Sequence, residues 1–368
     1  MIIEWIVGFF ILTYCLFIMY LWFGWERITI ISDKDFLPSV AIIIAVRNEA
    51  ENIGMLIANI ADQSYQGKIE LIVVNDHSED ETREIVWNAF DTKSNCKLID
   101  LKIRKGKKAA ITEGLLNTNS EIIITTDGDC NVPKRWVEAM IGAFTKTTQL
   151  VSGPVVFQKE NNFFNQIQAM EFVSLIASGA SLIGWGKPVM SNGANLAFRH
   201  SAFIAVNGFE GNLNTASGDD VFLLHKIAAQ YPNSIAFAKS EDAIVKTKSQ
   251  TSISLFLQQR IRWASKWKAY TDVFTQSTAI LVFLISLILV VMPVLVLNQK
   301  ISIYTWANLL IIKSFFDYFF LKQVSNHLKV EMNLAVFIFI QLIYPLYVVL
   351  AALFSFKKSY YWKGRRVK

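Results

Sequence analysis

Two aspartates one residue apart, Asp127 and Asp129, stand at the end of a β-branched apolar run, Ile122 to Thr126. With Gly128 between them, they fall where a strand must turn. In an open α/β sheet, ligands bind beyond the carboxyl ends of the strands. Paired carboxylates there make a hard oxygen site suited to Mg²⁺ or Mn²⁺, with phosphate oxygens completing the shell. Asp-x-Asp alone is common in solvated turns, so the reading depends on the rest of the chain. A second acidic pair, Asp219 and Asp220, follows Ser217-Gly218 and opens an apolar periodic run, which marks a helix start. Carboxylates at such a start cap the helix and complement its dipole, which accounts for one of the two. The other is a candidate general base.

The stretches between these pairs set the frame. Apolar runs at residues 40–46, 69–74, 97–101 and 122–126 alternate with amphipathic stretches. Helices are expected from about Glu49, from about Asp80, and after Arg104-Lys105-Gly106-Lys107-Lys108. Such alternation predicts βαβ units and a parallel, doubly wound sheet. Its turns carry Asn48, Glu49, Asp76, Lys105, Lys107, Lys108, Asp127 and Asp129, which this topology brings to one edge. The set suits a nucleotide-sugar. Asp76 can accept hydrogen bonds from a base or ribose, a lysine near Gly106 can meet a diphosphate, and the aspartates can hold the bridging metal. Neither a Walker loop nor G-x-G-x-x-G is present, which argues against ordinary NTPase and dinucleotide chemistry. His77 has no second histidine near it and reads as a turn residue.

Of the 368 residues, 53% are hydrophobic and only 18% charged, and the mean hydropathy is +0.35. The apolar excess sits at the two ends, so the pattern is that of a membrane protein with a soluble middle. The net charge is +6, yet no basic run is interleaved with stacking aromatics, which excludes nucleic acid as the natural partner. Anionic phospholipid explains the charge better. Cys15, Cys96 and Cys130 show neither zinc nor disulfide spacing, which fits a reducing compartment. Residues 5–23 are long enough to span a bilayer and read as a retained anchor; Glu4 before them and Arg27 after them place the following domain in the cytoplasm. Residues 162–183 predict a long amphipathic helix, mostly core, with some contact at the membrane surface. Residues 255–270 predict an interfacial helix with two tryptophans and four cations. Two clear spans follow at 278–297 and 334–356, with a weaker one at 301–321 that holds Lys313 and Asp317, spaced to pair at (i, i+4). The tail, 357–368, carries six cations and no acid, which argues for the cytoplasm. Three spans after a cytoplasmic domain would put that tail outside, so one of these apolar stretches is not a simple crossing.

Five motifs in order, Val46-Arg-Asn-Glu49, Val74-Asn-Asp76, Asp127-Gly-Asp129, Gly218-Asp-Asp220 and Gln259-Arg-Ile-Arg-Trp263, resemble the membrane-bound, inverting glycosyltransferases of family 2. That family includes the synthases of cellulose, hyaluronan and poly-N-acetylglucosamine and the ceramide glucosyltransferases. The resemblance runs from about Ser39 to Tyr270 and departs from the pattern at Asp219, where Glu is commoner. It implies an α/β, Rossmann-like GT-A catalytic domain over residues 39–250. An anchor over 1–30, an interfacial helix over 251–273, a membrane region over 277–356 and the tail would flank it. Donor contacts would come from Val46, Asn48, Glu49, Asp76, Lys107, Lys108 and Asp127. Asp129 with Asp127 would bind Mg²⁺ or Mn²⁺. Asp220, with Asp219 beside it, would be the base, and Gln259, Arg262 and Trp263 would hold the diphosphate and shape the acceptor site. The activity implied is inverting transfer from a nucleotide-sugar, commonly UDP-linked, to a lipid or glycan hydroxyl. One span before the domain and two or three after favour a single transfer to a lipid, since exporting a polymer needs a channel. A processive polysaccharide synthase is the alternative, and a nucleotide-regulated transporter or receptor is the alternative of another class. The compact architecture suggests a bacterial inner membrane.

Overall fold

The computed structural model describes residues 2–29, 35–90, 95–103, 105–212, 218–265, 272–355, 360–362 and 365–367. Two compact units emerge. One joins Ile28–Gln158, Leu182–Lys248 and Tyr361–Lys368; the other joins Met1–Arg27, Lys159–Ser181 and Ser249–Tyr360.

The first is the sheet unit. Its strands are β1 (Val40–Val46), β2 (Ile69–Asn75), β3 (Cys96–Asp100), β4 (Ile122–Asp127), β5 (Leu150–Ser152), β6 (Val155–Phe157), β7 (Leu196–Arg199), β8 (Ile235–Phe237) and β9 (Val245–Thr247). Seven of them form one sheet in the order β3-β2-β1-β4-β7-β5-β8, and β6 pairs with β9. The four long runs seen in the sequence are β1 to β4, and they are parallel. The sheet as a whole is mixed, not wholly parallel as the alternation predicts. β7 runs antiparallel to both β4 and β5, with Ile122 opposite Arg199 and Leu150 opposite Phe198. Strands β5, β6, β8 and β9 are three residues long, too short for alternation to register.

Six α-helices among the described residues belong to this unit: α2 (Ile53–Ala61), α3 (Thr82–Phe90), α4 (Lys107–Leu116) and α5 (Trp136–Ile141) among the first strands, α7 (His200–Ala205) after β7, and α8 (Asp219–Gln230). Ile43, Ile72, Val74 and Ile123 of the sheet form one core with Ala110 and Ile111 of α4 and Leu224 and Ile227 of α8. The helix expected from Glu49 starts four residues later. Asn48 takes a positive φ of 52°, and the amides of Asn52 and Ile53 both donate to the Glu49 carbonyl, so residues 48–52 form a turn first.

The helical unit holds α1 (Ile2–Arg27), α6 (Phe163–Gly184, whose last residues pass into the sheet unit), α9 (Ile253–Ala264), α10 (Val273–Leu297), α11 (Ile303–His327) and α12 (Leu334–Phe354). Helices α1, α6, α10 and α12 are long and apolar enough to cross a membrane. Helix α6 is predicted as mostly core, and 61% of its apolar window is buried. Residues 266–270 of the expected interfacial helix, residue 356 of the last expected span and residues 357–359 of the tail lie outside the described residues. In the basic tail, short strands β10 (Tyr360–Trp362) and β11 (Arg365–Val367) are formed.

Two clusters of charged side chains inside the helical unit are paired. Lys313 Nζ donates to Asp317 Oδ2 at 2.5 Å, as the (i, i+4) spacing predicts, and to Gln341 Oε1 at 2.7 Å; Tyr14 donates to Asp317 Oδ1 at 2.8 Å. Arg260, 2% exposed, forms a two-point pair with Glu171, 4% exposed. Its guanidinium lies 4.5 Å from the Phe256 ring centre and 4.3 Å from that of Trp263.

Candidate active site

The site is built at the carboxyl ends of β1, β2 and β4 and the N-terminus of α8. At β1, Val46 is buried and its carbonyl accepts from the Asp76 amide at 2.8 Å, which ties two neighbouring turns. Arg47 is buried as well. It donates to the Asp76 carbonyl at 3.1 Å and the His77 carbonyl at 2.5 Å, and pairs with Glu79 at 2.9 Å. Asn48 Oδ1 accepts from the Glu79 amide at 2.9 Å, and Glu49 accepts from Asn52 Nδ2 at 3.0 Å. Val46, Asn48 and Glu49 thus brace the turn over which Asp76 emerges.

Asp76 is 3% exposed; its Oδ2 accepts from the Gly106 amide at 3.0 Å, and its Oδ1 faces His77 Nδ1 at 3.1 Å. It therefore fixes the start of α4. Gly106 enters that helix at a φ of +97°, a backbone that L side chains adopt at a cost. Lys107 and Lys108 then diverge. Lys108 Nζ donates to the Asn212 carbonyl at 2.6 Å and lies 5.1 Å from the Phe222 ring centre. Lys107 Nζ donates to Asp127 Oδ1 at 2.6 Å and stands 3.3 Å from Asp219 Oδ2. Burial alone would lower the Lys107 pKa, but Asp127, Asp219 and Asp220 outweigh it and hold the ammonium charged well above its ordinary range.

The turn after β4 needs Gly128 for space. A Cβ there would lie 2.9 Å from Glu49 Cγ and 3.2 Å from Val46 Cγ1. Asp129 Oδ2 accepts from Thr247 Oγ1 at 3.2 Å, and Asn131 and Lys246 exchange backbone hydrogen bonds, so β9 holds the turn from the other side. Burial, reinforced by Asp127 and Asp129, pushes the Cys130 thiol up, which keeps it protonated and inert.

At α8, Asp220 Oδ2 accepts from the Gly193 amide at 3.2 Å and its Oδ1 from the Val221 amide at 2.8 Å. A Cβ on Gly193 would fall 2.8 Å from Asp219 Oδ2 and 2.9 Å from Lys107 Nζ, so backbone at 193 lies directly against the ion pair. Asp127, Asp219, Asp220 and Lys107 are brought together in this way. Sequence reading passed over Arg47, Gly193 and Thr247. Arg47 sits inside a quoted motif, so its signal was present without a partner to give it meaning.

Asp127 and Asp129 offer two carboxylates from one turn. Among the described residues, no set of three or more His, Cys, Asp or Glu side chains is placed to hold a metal ion. The pair fits a hard divalent cation that takes its remaining ligands from donor phosphates and water. Gln259, Arg262 and Trp263 lie on α9 in the helical unit. There Gln259 Oε1 accepts from Arg260, and Trp263 packs 5.9 Å from Phe172 between ring centres.

Residues 41–206 match the model of Glycosyl transferase family 2. Over 178 residues the chain is 28% identical to a poly-beta-1,6-N-acetyl-D-glucosamine synthase of Staphylococcus epidermidis, covering 48% of this chain and 42% of that protein. Over 127 residues it is 33% identical to the glycosyltransferase AglE of Haloferax volcanii, covering 34% of this chain and 42% of that protein. The chain thus aligns with less than half the length of these relatives. Among solved structures, the mannosyltransferase PcManGT of Pyrobaculum calidifontis, in complex with GDP-Man and Mn²⁺, superposes with a TM-score of 0.64 at 19% identity. That superposition covers 96% of this chain and 97% of the other. The likeness is one of fold, and the fold of the sheet unit is GT-A.

Proposed function

We propose that this chain, whose residues 41–206 match the Glycosyl transferase family 2 model, moves a sugar from a nucleotide-sugar to an acceptor hydroxyl with inversion. The observation that carries the reading is the convergence of Asp127, Asp219, Asp220 and Lys107 where β4 ends and α8 begins. Asp220 is the base. Its carboxylate is oriented by the Gly193 amide, while Asp219 is engaged with Lys107. The acceptor oxygen attacks the anomeric carbon on the face opposite the diphosphate. The bond to the diphosphate breaks as the new one forms, and the hydroxyl proton passes to Asp220. A positioned base of this kind contributes ~10²–10⁴-fold in rate. Asp127 and Asp129 would hold Mg²⁺ or Mn²⁺, which when bound neutralises charge on the departing diphosphate. Asp76 meets the nucleoside, and Val46, Asn48 and Glu49 keep its turn in place. Lys107 turns from Asp127 toward the diphosphate when donor arrives, and Lys108 supports the same helix start. The roles of Gln259, Arg262 and Trp263 at diphosphate and acceptor rest on the resemblance of their signature.

The acceptor we propose is a lipid, and the helical unit is the membrane part, with the sheet unit facing the cytoplasm of a bacterial inner membrane. Four helices long and apolar enough to cross support the membrane residence of the helical unit. Similarity to a poly-beta-1,6-N-acetyl-D-glucosamine synthase supports a second reading, processive synthesis. Release of nucleoside diphosphate by the full chain in lipid nanodiscs, screened over nucleotide-sugars with Mn²⁺, separates the two. Release that requires lipid extract and adds one sugar per acceptor is the expected outcome. A lengthening saccharide without added lipid would establish the synthase instead, and no release with any donor would remove both.

A further inference from the structure

The helical unit encloses a cavity of about 110 Å³ that none of the roles above uses. Five helices line it: α1, α6, α10, α11 and α12. Part of the wall is apolar, with Leu21, Leu289, Phe320 and Phe337; part is polar, with Glu171, Lys313, Asp317, Gln341, Tyr344 and serines. A single water needs roughly 10–15 Å³ on this measure, so the space admits a larger group.

The polar wall is closed in charge but open in hydrogen bonding. Lys313 is matched by Asp317, and Glu171 by Arg260. Gln341 is 7% exposed, and its Oε1 accepts from Lys313, which fixes the amide's orientation. Its Nε2 therefore points away from that pair, and it has no partner among the described residues. The Tyr344 hydroxyl, on the same wall one turn further along α12, has none either. Two donors left unmade in a largely apolar enclosure call for oxygen acceptors. A charged ligand would add a charge to surroundings whose own charges already cancel, at a desolvation cost. An uncharged one meets no such penalty. On the outer side of α12, Ile338, Leu342 and Leu346 are exposed, so acyl chains would find a matching surface next to the helix that carries both donors.

We propose that this cavity takes the uncharged, oxygen-rich head of a hydroxyl-bearing glycerolipid, for which diacylglycerol is the probe. The inference rests on the membrane reading of the helical unit and not on transfer. Binding is measured without donor, so failure of either reading is told apart from failure of the other. The full chain in phosphatidylcholine nanodiscs is photolabelled with a diazirine-bearing diacylglycerol, and labelled peptides are mapped by mass spectrometry. Label is expected within residues 171–178 and 337–345. Dioleoylglycerol should displace it at a concentration about tenfold below that needed for dioleoyl phosphatidate, a modest share of the cost of an uncompensated charge. Ser178 lines the cavity and takes part in neither ion pair, so Ser178→Phe should occupy the space and abolish that label at an unchanged thermal midpoint. Equal displacement by phosphatidate, label confined to outward-facing residues, or full label on folded Ser178→Phe would each overturn the proposal. Should the variant fail to fold, the competition on the unaltered chain decides alone.

Discussion

Lys107 occupies the place in the site where a reader of the sequence would put a phosphate. Its ammonium sits between Asp127 and Asp219, with Gly193 backbone against it. Removing it leaves like charges facing each other in a partly buried corner. Lys107→Met should therefore cost about 1–3 kcal/mol of stability in metal-free buffer, the usual range for leaving a buried polar group unmatched, since these side chains are only partly buried. Mn²⁺ should restore more of the thermal midpoint in the variant than in the parent, because the cation takes over the neutralising role. Equal recovery in both would mean that Asp127 is not part of the cation site. At this scale the sequence singled out residue types suited to the proposed chemistry but not what each one touches. Asp76 reads as a base or ribose contact, yet its two oxygens already engage the Gly106 amide and His77. Pairings between residues so far apart in the chain leave no local periodicity to read.

The elements that carry these side chains were partly visible. Strands β1 to β4 were legible because each is five to seven residues long and apolar. The antiparallel direction of β7 was not, since pairing direction leaves no mark in so short a run, and β5, β6, β8 and β9 are too short at three residues to give a period. Gly128 shows how closely two elements approach here, with β1 and the turn after β4 separated by less than a methyl group's width. Gly128→Ala should cost about 1–3 kcal/mol through overpacking, and should weaken Mn²⁺-dependent donor binding more than it lowers the thermal midpoint. A loss of stability with donor affinity intact would detach that turn from the site. In the helical unit, Glu171 and Arg260 join α6 to α9 by a buried pair. Breaking it from one side strands a charge, at about 3–5 kcal/mol. Glu171→Leu and Arg260→Met should each destabilise strongly in a detergent melt, while the double variant should be milder than either single one. Additive losses would show that the pair is not coupled. Arg260 was legible only as one of four cations on an amphipathic stretch; its burial comes from a helix more than eighty residues earlier.

At the scale of the whole molecule, hydropathy and element order predicted a sheet-bearing stretch between long apolar helices, and the chain divides into a sheet unit and a helical unit. What they did not foresee is that residues 159–181 leave the sheet unit and join the helical one. That stretch is apolar enough for either setting, and burial among helices, not composition, decides it. The proposed division of labour, chemistry in the sheet unit and membrane residence in the helical unit, depends first on Asp220 acting as the base. The most direct test compares the full chain with Asp220→Asn in lipid nanodiscs, measuring binding of radiolabelled donor and transfer of its sugar on the same preparations. Transfer should fall ~10²–10⁴-fold, the contribution of a positioned base, while donor affinity stays as it was. Parallel loss of binding and transfer would contradict the account, and so would transfer that survives the substitution.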